Sequence, residues 1–235
     1  MYPFVFLICV FLIWLYPQKY LKVKTYDILE NKGEVFLVLS DMHNNCLLPF
    51  SSFERIIKKE KPSAFLLLGD LIDRNGGYKN TKRLLDIIHK QKVPVYFVRG
   101  NHEISSPYKD QLQEDLKAMG ALCLENIITS QGELLLSGFA YRKQAETRAD
   151  IYLCHNPMDA LKGDFPGLYL AGHTHGGMVR FPIIGTFYVP DQEYFPKYQK
   201  GLYELSDRKI LITSGIGNTF LPLRFLNPIE VMILR

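Results

Sequence analysis

The sequence predicts an α/β fold in which two packed, mixed β-sheets are flanked by helices, with a hydrophobic anchor at the N-terminus. Three observations carry this reading. Five short, nearly all-apolar runs are bounded by turn formers, the pattern of strands buried on both faces. Helical stripes fit between the first three runs, whereas the second half turns mostly to strands with short connections. The stretch Tyr2 to Tyr16 carries no charged residue, unlike the rest of the chain.

The expected organisation is an anchor over residues 1–17, a linker over 18–33 and one globular domain over 34–235. As a helix rising about 1.5 Å per residue, Tyr2 to Tyr16 reaches roughly 22 Å, a little short of the ~30 Å hydrocarbon layer. Trp14, Tyr16 and Tyr20 suit a membrane interface, and no small-residue cleavage site follows. Lys19, Lys22 and Lys24 come after the apolar stretch and none precedes it, which puts the globular part in the cytoplasm. A buried helix of the globular fold is the other reading.

The strands follow in order: Val35 to Leu39, Ala64 to Leu68, Val93 to Val98, Ile151 to Cys154 and Leu168 to Ala171. Between the first three, Ser51 and Glu54 read as a capping box ahead of Phe53, Ile56 and Ile57, and Lys61-Pro62 ends that helix. Leu84, Leu85, Ile87 and Ile88 mark a second helix. Ser106-Pro107 opens a third, with Leu112, Leu116 and Met119 inward and Gly120 at its end. Later strands are read at Ala121 to Leu124, Glu133 to Phe139, Gly201 to Leu205, Lys209 to Thr213 and Glu230 to Leu234.

The 235 residues are 47% hydrophobic, enough for one domain with a sizeable core. A net charge of +4 permits contact with phosphate or an anionic membrane without demanding it. The four cysteines, Cys9, Cys46, Cys123 and Cys154, form no CxxC pair, so neither a disulfide framework nor a four-cysteine zinc site is expected.

The chemistry lies in short blocks at the ends of the five runs: Asp41-Met42-His43, Gly69-Asp70-Leu71-Ile72-Asp73, Gly100-Asn101-His102-Glu103, His155 and Gly172-His173-Thr174-His175-Gly176. In an α/β sheet, functional groups gather beyond the carboxyl ends of strands. Carboxylate and imidazole donors suit manganese, iron or zinc. There are more ligands here than one closed site needs, which points to two ions sharing a bridging carboxylate. Any one block alone is better read as a buried hydrogen-bond network, and Gly69, Gly100 and Gly172 as turn glycines. His89 reads as a surface histidine.

Taken together and in this order, the blocks resemble the calcineurin-like metallophosphoesterases, whose pattern is DxH, GDxxD, GNH[DE], a lone H, and GHxH. The resemblance runs from about Val35 to the C-terminus and fills every position. It implies a sandwich of two sheets between helices and a dinuclear, metal-dependent hydrolysis of phosphoesters. Asp41, His43 and His175 would hold one ion, and Asn101, His155 and His173 the other, with Asp70 bridging them. Manganese is the first expectation, iron or zinc the alternatives. His102 would face the leaving group or the phosphate, Asp73 would hydrogen-bond His102, and Arg74 would hold a phosphate oxygen. Asn44 and Asn45 are near enough in sequence to line the same pocket.

The tail, from Gly172 through Phe181-Pro182-Ile183-Ile184-Gly185, Gly201-Leu202-Tyr203 and Ser214-Gly215-Ile216-Gly217 to Leu221-Pro222-Leu223-Arg224, is similar to a bacterial membrane-anchored branch of that family. The likeness implies a small or lipid-linked phosphoester substrate, such as a UDP-2,3-diacylglucosamine-type lipid precursor cut at its pyrophosphate. The chain departs from the branch in a short segment between Phe139 and Ile151 and in Met178, where a polar residue is expected. The aromatic-rich loop between Met178 and Tyr198 reads equally as a hydrophobic lip for lipid or as a cover over the core. A nuclease would need a basic groove or an added binding domain, and no nucleic-acid partner is expected. A scaffold without catalysis would be expected to have lost ligands, and none is missing.

Overall fold

The computed structural model of the chain describes residues 11–12, 14–29, 33–218 and 223–235. The first sheet runs in the order β1 (Lys22–Tyr26), β14 (Glu230–Leu234), β2 (Phe36–Leu39), β3 (Ala64–Leu67), β4 (Val95–Phe97), β5 (Leu122–Cys123). The second runs β12 (Gly201–Glu204), β13 (Arg208–Ile212), β9 (Gly167–Ala171), β8 (Ile151–Leu153), β7 (Leu134–Gly138), β6 (Ile128–Gln131). Both sheets are mixed. β2, β3, β4 and β5 are parallel neighbours and β14 runs antiparallel to β2; β7, β8, β9 and β13 are parallel, with antiparallel β6 and β12 at the edges.

Successive side chains of a strand leave opposite faces of the sheet, so each central strand feeds two cores. Leu37, Leu39, Phe65 and Leu67 face the helix side, packed with Phe53 and Ile57 of α1 (Phe50–Glu60), Leu84 and Ile88 of α2 (Lys79–His89), and Leu112 and Leu116 of α4 (Lys109–Ala118). Phe36, Val38, Ala64 and Leu66 face the second sheet, meeting Leu136, Ile151, Leu153, Leu170 and Leu211. Tyr152, Tyr169, Ile210 and Ile212 pack beyond it with Phe139 and Ala160 of α5 (Pro157–Leu161). The layers are therefore helix, sheet, sheet, helix, as expected.

Several local expectations are corrected. Part of the segment read as a linker is a strand: β1 pairs parallel with β14 from Lys22↔Glu230 to Tyr26↔Leu234. Its alternation of lysines with Val23 and Thr25 resembles a polar linker because it is a half-exposed edge, where lysines guard unpaired backbone. Ser51 and Glu54 form no capping box. α1 starts at Phe50 behind Pro49 and has no side-chain cap, and it ends at Lys61 in the left-handed region. Two short helices went unread, α3 (Asn101–Ser105) and α5, as did β6 and the two-residue strands β10 (Arg180–Phe181) and β11 (Gly185–Thr186). Most of the expected anchor lies outside the described residues. Among those described, residues 14–19 are helical and no helix is long and apolar enough to cross a membrane. That segment is tied down by Gln18, whose Nε2 donates to the Arg224 carbonyl (2.7 Å).

Candidate metal centre

Each block follows the carboxyl end of a strand, and the two sheets are stacked so that these ends meet at one edge. Asp41 and His43 follow β2, Asp70 follows β3, Asn101 and His102 open α3 after β4, His155 follows β8, and His173 and His175 follow β9. The turns are tight enough to demand particular residues. Gly69 has φ +87°, and a Cβ there would run into the backbone of Gly100. A Cβ on Gly100 would fall on the Asp70 carboxylate. These glycines therefore let two strand-end loops approach each other, which goes beyond turning the chain. Asp41, His43, Asp70, His173 and His175 themselves adopt left-handed backbone, with φ between 45° and 67°. Such conformations are costly for side-chain-bearing residues, and they cluster where function requires them.

The side chains converge. Ligand atoms of Asp41, His43 and His175 lie within 4.8 Å of one another, as do those of Asp70, His155 and His173. His43 Nε2 is 3.2 Å from His175 Nε2, and the two stand 4.0 and 3.7 Å from Asp41 Oδ1. On the other side, His155 Nε2 is 3.2 Å from Asp70 Oδ2, 3.1 Å from Asn101 Oδ1 and 3.2 Å from His173 Nδ1. Asp70 joins the halves, with Oδ2 3.7 Å from His43 Nε2. His102 stands at the rim, partly exposed, with Nε2 3.9 Å from Asp70 Oδ2. Its Nδ1 is 3.0 Å from Asp73 Oδ1, an ion-pair distance without the alignment of a hydrogen bond.

The electrostatics fit a cation-binding centre. Burial lifts the Asp41 carboxyl to about 6, aided by the charge of Asp70 and opposed by His155. Burial also opposes ionisation of Asp70, but His155, His43 and His102 outweigh it and hold that carboxyl well below its ordinary value. Burial disfavours charge on His155, yet Asp70 and Asp41 raise its pKa to about 10. The buried carboxylates thus draw positive charge to this spot, and a bound cation would supply it in place of the His155 proton, freeing that ring as a ligand. Burial, reinforced by neighbouring imidazoles, pushes His43 and His173 down to about 4 and holds His175 well below its ordinary value, which leaves these rings neutral with lone pairs free. Neutral imidazoles, two buried carboxylates and an amide oxygen facing inward are a donor set that manganese, iron or zinc can satisfy.

Three residues expected near the pocket stand outside the two ligand groups. Asn44 Oδ1 accepts from the backbone N–H groups of Asn80 (2.7 Å) and Thr81 (3.2 Å), capping the start of α2. Asn45 donates to the Ile216 carbonyl and accepts from Leu47 N–H. Both asparagines secure loops and do not line a pocket. Arg74 is exposed, and its guanidinium makes no hydrogen bond or ion pair with a described residue.

Three residues were given no role from sequence. Glu103 is buried, and its carboxylate accepts from the N–H groups of Asp70 (2.8 Å), Leu71 (2.7 Å) and Gly100 (2.7 Å), locking the second block to the third. Burial, with the nearby Asp70 charge, pushes its carboxyl up to about 7. Asp191 Oδ2 takes His173 Nε2 (3.0 Å), Tyr141 Oη (3.0 Å) and Asn156 Nδ2 (2.8 Å), which turns His173 Nδ1 toward the centre. Arg224 is fully buried and donates to the carbonyls of Ser214 (2.6 Å) and Gly217 (2.7 and 2.9 Å), while Asn227 donates to the His175 carbonyl (2.7 Å). Glu103 was visible as the last letter of its block. Asp191 lies in a segment with no pattern that marks it, and Arg224, although it closes the Leu221-Pro222-Leu223-Arg224 run, has partners that no local pattern reveals.

Comparison with known proteins agrees with this geometry. Residues 35–177 match the family model of the calcineurin-like phosphoesterases, and the chain belongs to that family. Among curated proteins it is 29% identical to an uncharacterized metallophosphoesterase, YkuE, of Bacillus subtilis, over 86% of this chain and 78% of that one. It is 28% identical to the phosphodiesterase YaeI of Escherichia coli, over 78% of this chain and 75% of that one. Among solved structures, TT1561 of Thermus thermophilus overlaps with a TM-score of 0.43 at 14% identity, covering 78% of this chain and 90% of that one. The chain is a metal-dependent phosphoric ester hydrolase.

Proposed function

We propose that the chain hydrolyses a phosphodiester or pyrophosphate bond in a small or lipid-linked substrate, of the kind found in a UDP-sugar lipid precursor. The observation that carries this is the convergence of seven donor residues from five strand ends: Asp41, His43 and His175 form one group, Asp70, His155 and His173 another, Asn101 adjoins His155, and Asp70 reaches across to His43. In the proposed assignment Asp41, His43 and His175 hold one divalent ion, Asn101, His155 and His173 hold the other, and Asp70 spans both. Manganese is the first candidate, with iron or zinc as alternatives. When bound, two such ions would supply Lewis acidity toward the phosphoryl oxygens and would lower the pKa of the attacking water.

The protein's own groups do the rest. His102, at the rim with Nε2 turned toward Asp70, is positioned to deliver a proton to the departing oxygen. Asp73 sets the ring from its Nδ1 side. Arg74, exposed beside Asp73, is free to swing onto a phosphate oxygen. The similarity to a curated phosphodiesterase supports the diester reading. The uncharged stretch of residues 2–16, followed by lysines 19, 22 and 24, supports attachment to the cell membrane with the domain on the cytoplasmic side.

Turnover of a chromogenic phosphodiester should vanish on chelation and return with added manganese. Asp70→Ala and His173→Ala should abolish it. His102→Ala should lower kcat by about 10²–10⁴ while the metal content holds. Full activity in Asp70→Ala, or indifference to chelation, would refute the reading.

A further inference from the structure

The loop after the last histidine block is the least conventional surface of the molecule. Of twenty exposed large hydrophobic residues among those described, eight fall within the seventeen positions Val179 to Phe195. Ile183 is completely exposed, and Ile184, Tyr194 and Phe195 are each more than 60% exposed. The loop therefore does not cover the core. Its rings pack on one another, Phe187 against Tyr194 (4.7 Å between centroids) and Phe195 (4.9 Å), which forms a ledge. The same loop carries Asp191, whose carboxylate holds His173, so the ledge borders the metal centre.

The ledge continues toward the N-terminus. Arg180 N–H donates to the Phe225 carbonyl and Phe225 N–H to the Met178 carbonyl, which joins the loop to exposed Leu223 and Leu226. Leu226 and Pro228 in turn line an apolar groove of about 750 Å³ with Leu12, Leu15, Tyr16 and Tyr20. The uncharged stretch of residues 2–16 thus ends against the same surface. Cations lie at its borders, beside Asp159 and Asp191 in one cavity. Lys19 lies in the groove and Lys197 over the Tyr198 ring, while Arg142, Lys143 and Lys162 line a cavity of about 580 Å³ that shares Asp191 with the loop. Aliphatic tips, tyrosines around them and lysines beyond are the composition of a surface that sits in a lipid headgroup layer. The cations complement anionic lipid.

We propose that this ledge seats the rim of the metal centre on an anionic phospholipid bilayer, so that the scissile phosphoester belongs to an amphiphile drawn from that surface. The second clause rests on the proposed phosphoesterase activity; the first does not.

Trp14 is the only tryptophan, which makes a direct test available. In the full-length chain, Trp14→Phe combined with Ile183→Trp puts the sole indole on the ledge. With vesicles of phosphatidylcholine and phosphatidylglycerol, its emission should shift to the blue and be quenched by brominated acyl chains. The effect should be weaker on phosphatidylcholine alone and at high salt. Emission that stays at its aqueous value while the chain sediments with the vesicles would overturn the proposal, leaving the N-terminal segment as the only contact. A blue emission without vesicles would overturn it too: at every concentration if residues 1–10 cover the ledge, or only on concentration if a second copy does.

For the substrate clause, Phe181→Ser with Ile184→Ser should cut turnover of a vesicle-borne phosphoester about tenfold or more, the scale of losing two buried apolar side chains. Turnover of a soluble chromogenic diester should not change. An equal effect on both substrates would overturn this clause. Loss of all turnover in the parent chain would instead condemn the phosphoesterase reading, while the fluorescence still reports bilayer contact.

Discussion

Glu103 gives a graded prediction about how the centre is held. One carboxylate oxygen, Oε1, accepts from Leu71 N–H at 2.7 Å and from Ile72 N–H at 3.4 Å. The other, Oε2, accepts from Asp70 N–H at 2.8 Å and Gly100 N–H at 2.7 Å. At pH 8 the carboxylate is ionised, since its pKa lies at about 7. In Glu103→Gln the amide oxygen can take the Oε2 position and keep two donors, while the amide nitrogen meets Leu71 N–H, which loses its acceptor, and Ile72 N–H, whose bond at 3.4 Å is already long. A buried donor left unsatisfied costs about 1–3 kcal/mol, so this variant should lose about 2 kcal/mol. Glu103→Ala strands all four donors, of Asp70, Leu71, Ile72 and Gly100, and should lose about 4–6 kcal/mol, a large part of the roughly 5–15 kcal/mol that holds a domain together. Urea unfolding of the metal-free proteins at pH 8 measures both. Because Asp70 is the residue whose N–H is gripped, manganese affinity of Glu103→Gln should fall about 10–100-fold by calorimetry. Equal stability of the two variants, or a Glu103→Gln protein within about 0.5 kcal/mol of the parent, would show that these hydrogen bonds do not carry the loop junction.

Asp191→Asn can keep its three donors on one oxygen and should weaken manganese binding only a few-fold, whereas Asp191→Ala should weaken it about 10–100-fold; calorimetry on demetallated protein separates them. Arg224→Met keeps the buried volume but strands the Ser214 and Gly217 carbonyls, and should cost about 2–4 kcal/mol in urea unfolding, where an apolar swap that left no polar group unpaired would be neutral. Burial lowers Lys200 to about 8, although Glu230 lies 3.9 Å away. Between pH 8 and 10.5 the unfolded chain therefore holds a proton that the native chain has released, so stability should rise with pH across that window by up to about 3 kcal/mol. Lys200→Met should flatten the rise; parallel curves for the two proteins would refute the assignment.

What could be read from the chain and what could not divides along sequence distance. The central strands were legible because a strand buried on both faces must be apolar throughout, as Phe36–Leu39 and Ala64–Leu67 are. The candidate ligands were legible because each sits within a few residues of such a strand's end, beside glycines that a close approach requires. Edge strand β1 was not, since a half-exposed edge tolerates the lysines and threonine that also suit a linker. Nor were Asn44 and Asn45, whose side chains were free by sequence to face the centre and instead cap α2 and bind Ile216.

The sequence by itself determined which chemical groups are present and which strand end delivers each of them. Only the tertiary structure decided what holds those groups. Glu103 reaches back 33 residues to Asp70, Asp191 reaches 18 residues to His173, and Arg224 folds over carbonyls at Ser214 and Gly217. It also decided that the aromatic loop is a ledge and not a lid over the core, because apolar residues on a loop have the same composition whether covered or bare. Strand pattern is a local requirement of burial and is written in adjacent residues. Partnership between distant polar groups depends on how the layers stack, and no local period records it.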